Sequence, residues 1–253
     1  MIGSFSLDGV SSESFDIVAK SIKRPLLPEK KVTRVEVAGL SGAYDTEDEE
    51  YSIRKIKMRI AYIGSTYEEL RSKARSIAAW LTGSAWKQLI INDETDKYYL
   101  AKVTSEIDLD SLYESGKADV SFDCQPFALS VSEETDVRTV TVGDSFSLTN
   151  PGTRKINYQS PEGSKLLITI DGSFSTLTID VNGTALTVNS SQSGVMTLDS
   201  IEMEFKIGGV NKFDLLSGDT DKFFTMEPGN NVITISGTSL NFDLTIAYIP
   251  LWI

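Results

Sequence analysis

Near the end of the chain Leu240, Phe242, Leu244, Ile246 and Tyr248 alternate with Asn241, Asp243, Thr245 and Ala247, and Pro250 follows. A β-strand sends successive side chains to opposite faces, so a run with this two-residue period buries one face only as a strand. Leu166, Ile168 and Ile170 alternate in the same way before Asp171-Gly172, and Leu177, Ile179 and Val181 before Asn182-Gly183. Asn-Gly is favoured in tight hairpins because both residues tolerate positive φ. This half of the chain shows no helical spacing. Short strands punctuated at close intervals predict an antiparallel β-sandwich.

The first half reads differently. Lys31 to Ala38 and Tyr51 to Tyr62 are Val- and Ile-containing strand candidates separated by Gly39 to Glu50, a stretch of Gly, Ser and acidic residues. This order predicts a hairpin with a long tip. One segment has helical character, Tyr67 to Thr82: Thr66 can cap its N-terminus with Glu69 completing a capping box, and Gly83 can close it. Leu70, Ala74, Ile77, Ala78 and Leu81 form its apolar face, while Glu68, Arg71, Lys73 and Arg75 turn to water or a partner. Further strands are expected at Gln88 to Asn92, Tyr98 to Ile107 and Ala118 to Cys124, with Asp93 to Lys97 as a hairpin turn. The expected architecture is mainly β. An N-terminal sandwich or barrel-like domain, residues 1–133, carries one packed helix and a long hairpin; a β-sandwich spans 134–253. The boundary is placed near Glu133, in the turn-prone acidic stretch after Pro126.

Several chemistries are excluded by residue type. The chain has no histidine, which removes Ser/His/Asp and Cys/His catalysis and histidine-containing zinc sites. A net charge of -12 repels phosphate and argues against a nucleic-acid-gripping surface. No apolar run approaches the roughly 20 residues that cross a bilayer, and the first ten residues lack a basic start followed by an apolar block, so a cytoplasmically made, unexported protein is expected. The single cysteine, Cys124, cannot form an internal disulfide and reads as a small buried hydrophobe beside Phe122.

The remaining candidates are weak. Asp45, Glu47, Asp48, Glu49 and Glu50 lack the alternating ligands and central glycine of a calcium loop, and Asp93, Glu94 and Asp96 read as turn residues. Glu202 and Glu204 would share one face of a strand and so could not oppose each other across a glycoside. Neither Walker nor dinucleotide glycine spacing occurs. No catalytic residue, metal ligand or cofactor is expected. Trp80, Trp86, Trp252, Tyr98 and Tyr99 could stack on sugars but more often fill cores or oligomer contacts. Trp80 lies off the apolar stripe of the helix, which points it towards an intermolecular contact.

The order of these features resembles a known family. Gly3-Ser4-Phe5-Ser6-Leu7-Asp8-Gly9 with Phe15, Arg24-Pro25, Gly39-Leu40-Ser41-Gly42-Ala43-Tyr44-Asp45, the strand Tyr51 to Met58, Ala79-Trp80-Leu81 and Asp123-Cys124-Gln125-Pro126-Phe127 are similar to segments of the distal tail proteins (Dit) of siphophages. Asn150-Pro151-Gly152 and Glu227-Pro228-Gly229-Asn230-Asn231 extend the resemblance into the second half, and the whole is close to the short two-domain form found in a Bacillus siphophage. Each motif alone is weak; their order and spacing carry the specificity. The resemblance implies a structural, non-enzymatic virion protein. Its N-terminal domains would form a hexameric ring with galectin-like C-terminal sandwiches outside. The tail-tube protein would dock on one face, a tail-associated fibre or lysin protein on the other, and DNA would pass through the channel. Within such a ring the hairpin tip Gly39 to Tyr51 is expected to reach a neighbouring subunit. Gly42, Tyr44, Asp45, Glu47 and Tyr51, with Trp80 of the helix, are the expected subunit-interface residues. The alternative is a carbohydrate-binding module for host attachment, which would expose aromatic side chains together on one sheet face of residues 134–253.

Overall fold

The computed structural model describes residues 3–32, 34–35, 38–39, 41–42, 44–45, 50–107 and 117–253. The chain divides into two units, Met1–Ala128 with Ile253, and Leu129–Trp252. The break thus falls ahead of the expected boundary at 133/134.

In the first unit the described strands are β1 (Phe5–Leu7), β2 (Val10–Ser11), β3 (Ile17–Lys23), β4 (Arg34–Val35), β5 (Tyr44–Asp45), β6 (Arg54–Tyr62), β7 (Lys87–Ile91), β8 (Glu94–Val103) and β9 (Ala118–Cys124). The main sheet runs β2-β1-β7-β8-β9-β6-β3. Gly3, just before β1, exchanges both backbone bonds with Ala19 of β3, at 2.9 and 2.7 Å. This one bridge brings the chain ahead of β1 alongside β3 and closes the β1-β7-β8-β9-β6-β3 path into a barrel. A Cβ at Gly3 would lie 2.3 Å from the Asn92 side-chain amide, so a larger residue there would force that side chain to move. Phe5, Leu7, Ile17, Ile56, Met58, Leu89, Val120 and Phe122 fill the interior, each at most 2% exposed.

Helix α1 (Tyr67–Leu81) carries the expected cap: Thr66 Oγ1 accepts the Glu69 N–H at 3.2 Å, and the Glu69 carboxylate accepts the Thr66 N–H at 3.3 Å. Its C-terminal carbonyls are held by a residue the sequence did not single out. Lys87 Nζ donates to the Trp80 and Thr82 carbonyls, both at 2.6 Å, placing a cation at the negative end of the helix. The turn before β8 is shorter than expected, only Asn92-Asp93, and Glu94 to Lys97 belong to the strand. Charge pairing lets them do so: Arg24 binds Asp93 at 3.0 Å and also Glu94, and Lys97 binds Glu94 at 3.3 Å and Asp96 at 2.8 Å.

The second unit comprises β10 (Ala128–Ser130), β11 (Glu134–Val140), β12 (Asp144–Asn150), β13 (Leu166–Phe174), β14 (Thr176–Val181), β15 (Thr184–Val188), β16 (Gln192–Asp199), β17 (Glu204–Ile207), β18 (Val210–Asn211), β19 (Leu216–Gly218), β20 (Gly229–Thr238), β21 (Asn241–Tyr248) and β22 (Leu251–Trp252). Two antiparallel sheets result, β11-β21-β13-β16-β17-β18 and β12-β20-β14-β15-β19. All the alternating apolar residues named from sequence, in β13, β14 and β21, are buried, as the two-residue period requires. Asn182 and Gly183, at φ +53 and +87, make the tight turn between β14 and β15. Asp171-Gly172, however, is not a turn. β13 continues through it, and Gly172 is there because a Cβ would come within 2.5 Å of the Phe242 backbone on β21. Glu202 and Glu204 do not share a strand either: Glu202 lies in a turn whose N–H groups the Asp199 carboxylate accepts, and only Glu204 is in β17.

Candidate assembly surface

Between β3 and β6 the chain runs out into a ribbon and returns. Its root is fastened by the Lys30–Tyr51 bridge and by two backbone bonds of 2.8 Å, Lys31 N–H to the Glu50 carbonyl and Ser52 N–H to the Glu29 carbonyl. Further out β4 pairs with β5, Arg34 opposite Asp45 and Val35 opposite Tyr44. The Tyr51 ring meets buried Phe127 edge-on at 5.3 Å, which seats the root on the barrel. Gly42 is exposed with φ +107, a conformation that favours glycine. The ribbon therefore brings Gly42, Tyr44, Asp45 and Tyr51 onto one element. Glu47 lies outside the described residues.

Trp80 is not part of that element. It is 8% exposed, stacks on Phe5 at 5.3 Å and Phe15 at 4.9 Å, and donates its indole N–H to the Leu7 carbonyl at 3.1 Å. The expectation of an intermolecular contact is corrected by helix geometry. At 100° per residue Ala78 and Trp80 flank the Leu70–Ile77 stripe by about 80° on opposite sides. The larger apolar surface takes the covered side, and Ala78 is exposed.

A groove of about 430 Å³ opens beside the root of the ribbon, between Lys23 to Glu29 and Ser52 to Lys55. Leu27 and Ile53 in its wall are 61% and 45% exposed, and nearby in sequence Ile22, Leu26 and Val32 are exposed as well. This run of open apolar side chains makes the groove a candidate contact surface. Arg54, also in the lining, is by contrast 3% exposed; its Nη1 donates to the Tyr99 hydroxyl at 3.1 Å and its guanidinium lies 5.4 Å from the Tyr99 ring. Sequence reading missed this groove, because its signal, Arg24-Pro25-Leu26-Leu27-Pro28, lies in a segment without periodicity.

The other charged clusters are internally paired. Asp119 takes Arg59 at 2.8 Å and Lys57 at 2.9 Å, and hydrogen bonds from Arg59 first and Lys57 next hold its carboxyl at about 2. Lys73 on α1 pairs with Asp16. Among the described residues no group of three or more Cys, Asp or Glu is placed to hold a metal ion. Cys124 is fully buried, and burial pushes its thiol up to about 12.

The second-half motifs are structural pegs. Buried Asn231 accepts the Glu227 N–H and the Asn182 amide, both at 2.7 Å, and donates to the Glu227 and Gly229 carbonyls at 2.9 and 3.0 Å. Asn150 accepts the Gly152 N–H at 2.9 Å and donates to the Arg154 carbonyl at 3.2 Å. These amides replace water for turn backbone that the sandwich buries. The unit's aromatic side chains do not assemble on an open sheet face. Tyr158 sits in a turn, Phe213 stacks on buried Phe223 at 6.1 Å, and Phe146 lies 3.7 Å under the Arg138 guanidinium.

Residues 12–124 match the family model of the phage tail protein RIFT-related domain. No curated protein matches the sequence. The fold over 99% of the chain is similar to 99% of a solved structure, that of Dit (gp 19.1) of phage SPP1, described as a paradigm of the hub adsorption apparatus in phages infecting Gram-positive bacteria, with a TM-score of 0.74 at 15% identity. Both findings bear out the resemblance to siphophage distal tail proteins drawn from the sequence motifs.

Proposed function

We propose that this chain is the non-enzymatic hub subunit of a phage tail tip, six copies of which close into a ring between the tail tube and the adsorption apparatus. The observation that carries the reading is the end-to-end likeness in fold to a protein described as an adsorption hub, with no domain of either chain left over. The protein would reside in the virion. Its partners would be further copies of itself, the tail-tube protein on one face and a tail-associated fibre or lysin protein on the other. DNA would pass through the channel without being gripped, and the acidic balance of the chain suits that passage, since negative walls repel phosphate. A ring whose channel is lined chiefly by Lys and Arg would contradict this last point.

The ribbon of residues 30–51 supplies a ring-closing arm, because a head-to-tail contact closes a ring only if each copy offers two different surfaces to its neighbours. Electron microscopy of the purified protein, alone and with the tail-tube protein, is expected to show closed rings with a central hole. Deleting Ser41 to Glu49 is expected to leave the fold intact and reduce light scattering to that of monomers. Unchanged hexamers from this deletion would remove the arm from the reading.

A further inference from the structure

One sheet face of each unit collects unmatched charge, and the two signs are opposite. On the barrel, Ile56, Met58 and Ile60 of β6 point inward, so the alternate residues Lys55, Lys57 and Arg59 stand on the outer face, where Lys20 and Lys23 of β3 join them. The register sets like against like, Lys20 opposite Arg59 and Lys23 opposite Lys57. Cross-strand pairs of one sign cost stability. The face has little acid to offset them. Asp119 of β9 already takes Arg59 and Lys57, and Asp123 lies opposite Lys55 in register without closing on it. Lys20, Lys23 and Lys55 are exposed and make no ion pair among the described residues, in a chain whose net charge is -12. This face runs into apolar surface, since Lys23 and Lys55 line the same groove as open Leu27 and Ile53.

The sandwich shows the reverse. Leu129–Trp252 holds 15 Asp and Glu against 7 Lys and Arg. On the outer face of β11-β21-β13-β16 the register sets Asp243 of β21 opposite Asp171 of β13, both exposed. Asp243 accepts the Thr139 hydroxyl at 2.6 Å, but neither carboxylate has a cation partner among the described residues. Val195, opposite Asp171 on β16, and Val137 on β11 are 48% and 66% exposed. We propose that the basic barrel face of one copy docks on the acidic sandwich face of another, with Lys20, Lys23 and Lys55 meeting Asp171 and Asp243 while the open aliphatic residues of the two faces cover one another. A protein surface fits better than nucleic acid, because phosphate would neutralise the lysines and leave Leu27 and Ile53 in water. The contact joins two different surfaces and is therefore head-to-tail, as a ring requires. It rests on the ring reading and adds a contact separate from the ribbon.

The test uses the full-length protein at concentrations where the wild type forms rings, followed by light scattering. Lys20→Glu, Lys23→Glu and Lys55→Glu combined in one chain should raise the concentration needed for rings roughly tenfold or more, and so should Asp171→Lys with Asp243→Lys in another chain. Mixed in equal amounts, the two variants should form rings again near the wild-type concentration, because alternating copies restore opposite signs at every contact. Neither monomer should melt earlier than the wild type: the first set places acids opposite Arg59 and Lys57, and the second exchanges one like-sign pair for another. Rings untouched by either set, or variants that each weaken rings without rescuing one another, would overturn the contact. Intact rings from the lysine variant, together with loss of wild-type binding to a short fluorescent DNA duplex, would give the basic face to nucleic acid instead. Absence of wild-type rings, with or without the tail-tube protein, would sink the hub reading itself. Should either variant fail to fold, zero-length carbodiimide crosslinking of mixed light- and heavy-isotope wild type decides. Inter-copy links between Lys20, Lys23 or Lys55 and Asp171 or Asp243 are expected, and links from those lysines only to other carboxylates would refute the assignment.

Discussion

Cys124 shows how little a reactive residue type says without its surroundings. It is the chain's one thiol, but it points into the barrel beside Phe122, where burial raises it to about 12 and leaves almost no thiolate at neutral pH. In the native protein at pH 8 it is expected to be silent towards a colorimetric disulfide reagent and to titrate as one thiol in denaturant; rapid native reaction would contradict the burial. Asp119 is the opposite case, half-open and tuned by its neighbours. Its folded value of about 2 lies below the ordinary 3.8, so the Arg59 and Lys57 pairs stabilise the fold above about pH 4, and that contribution disappears as pH falls through about 2. Asp119→Asn should therefore unfold at lower urea than the wild type at pH 6, with the two curves converging towards pH 2. The difference should be small and should shrink in high salt, because both partners are solvent-exposed. A gap that widened on acidification would mean the sign is wrong.

At the scale of elements, legibility followed locality. The capping box of α1, the strand Ala118–Cys124 and the Asn182-Gly183 hairpin were all readable, since each is decided by residues within a few positions of one another. The way the barrel-like sheet closes was not: it depends on Gly3 meeting Ala19, and the helix end depends on Lys87 reaching back to Trp80, contacts that only the tertiary arrangement creates. Trp80 was misplaced for a related reason. A stripe drawn through five apolar positions put its centre towards Ala78, whereas the surface the helix packs on, Phe5 and Phe15, comes from a stretch that was read only as motif. The groove of Arg54 shares that origin, being built from a proline-punctuated segment with no period to read. The Trp80 correction has a measurable consequence. Trp80→Ala should cost about 3–5 kcal/mol of monomer stability in urea, the scale of emptying a large core site. A variant as stable as the wild type but impaired in ring formation would return Trp80 to the surface.

For the molecule as a whole, the place where the first unit ends is a statement about which strands fold together. Composition placed the boundary at the acidic turn near Glu133, but that choice separates β10 from one of the two strands it pairs with. β10 pairs with β22 at the far end of the chain, and the Ser130 N–H donates to the Pro250 carbonyl at 3.0 Å. Glu133 itself binds Lys165 at 2.7 Å, so even the residues at the expected boundary are tied to the sandwich. A fragment begun at Pro126 keeps all of these contacts, whereas one begun at Glu134 leaves β22 with an unpaired edge and the Pro250 carbonyl without its donor. Each lost backbone bond is worth about 1 kcal/mol, and an exposed strand edge adds a tendency to associate. The longer fragment should therefore unfold cooperatively with the higher urea midpoint, and the shorter one should unfold earlier and scatter more light at equal concentration. Equal midpoints would restore the boundary to Glu133 and reduce β10 to a linker, and the acidic turn would then be a true hinge between separately folding domains.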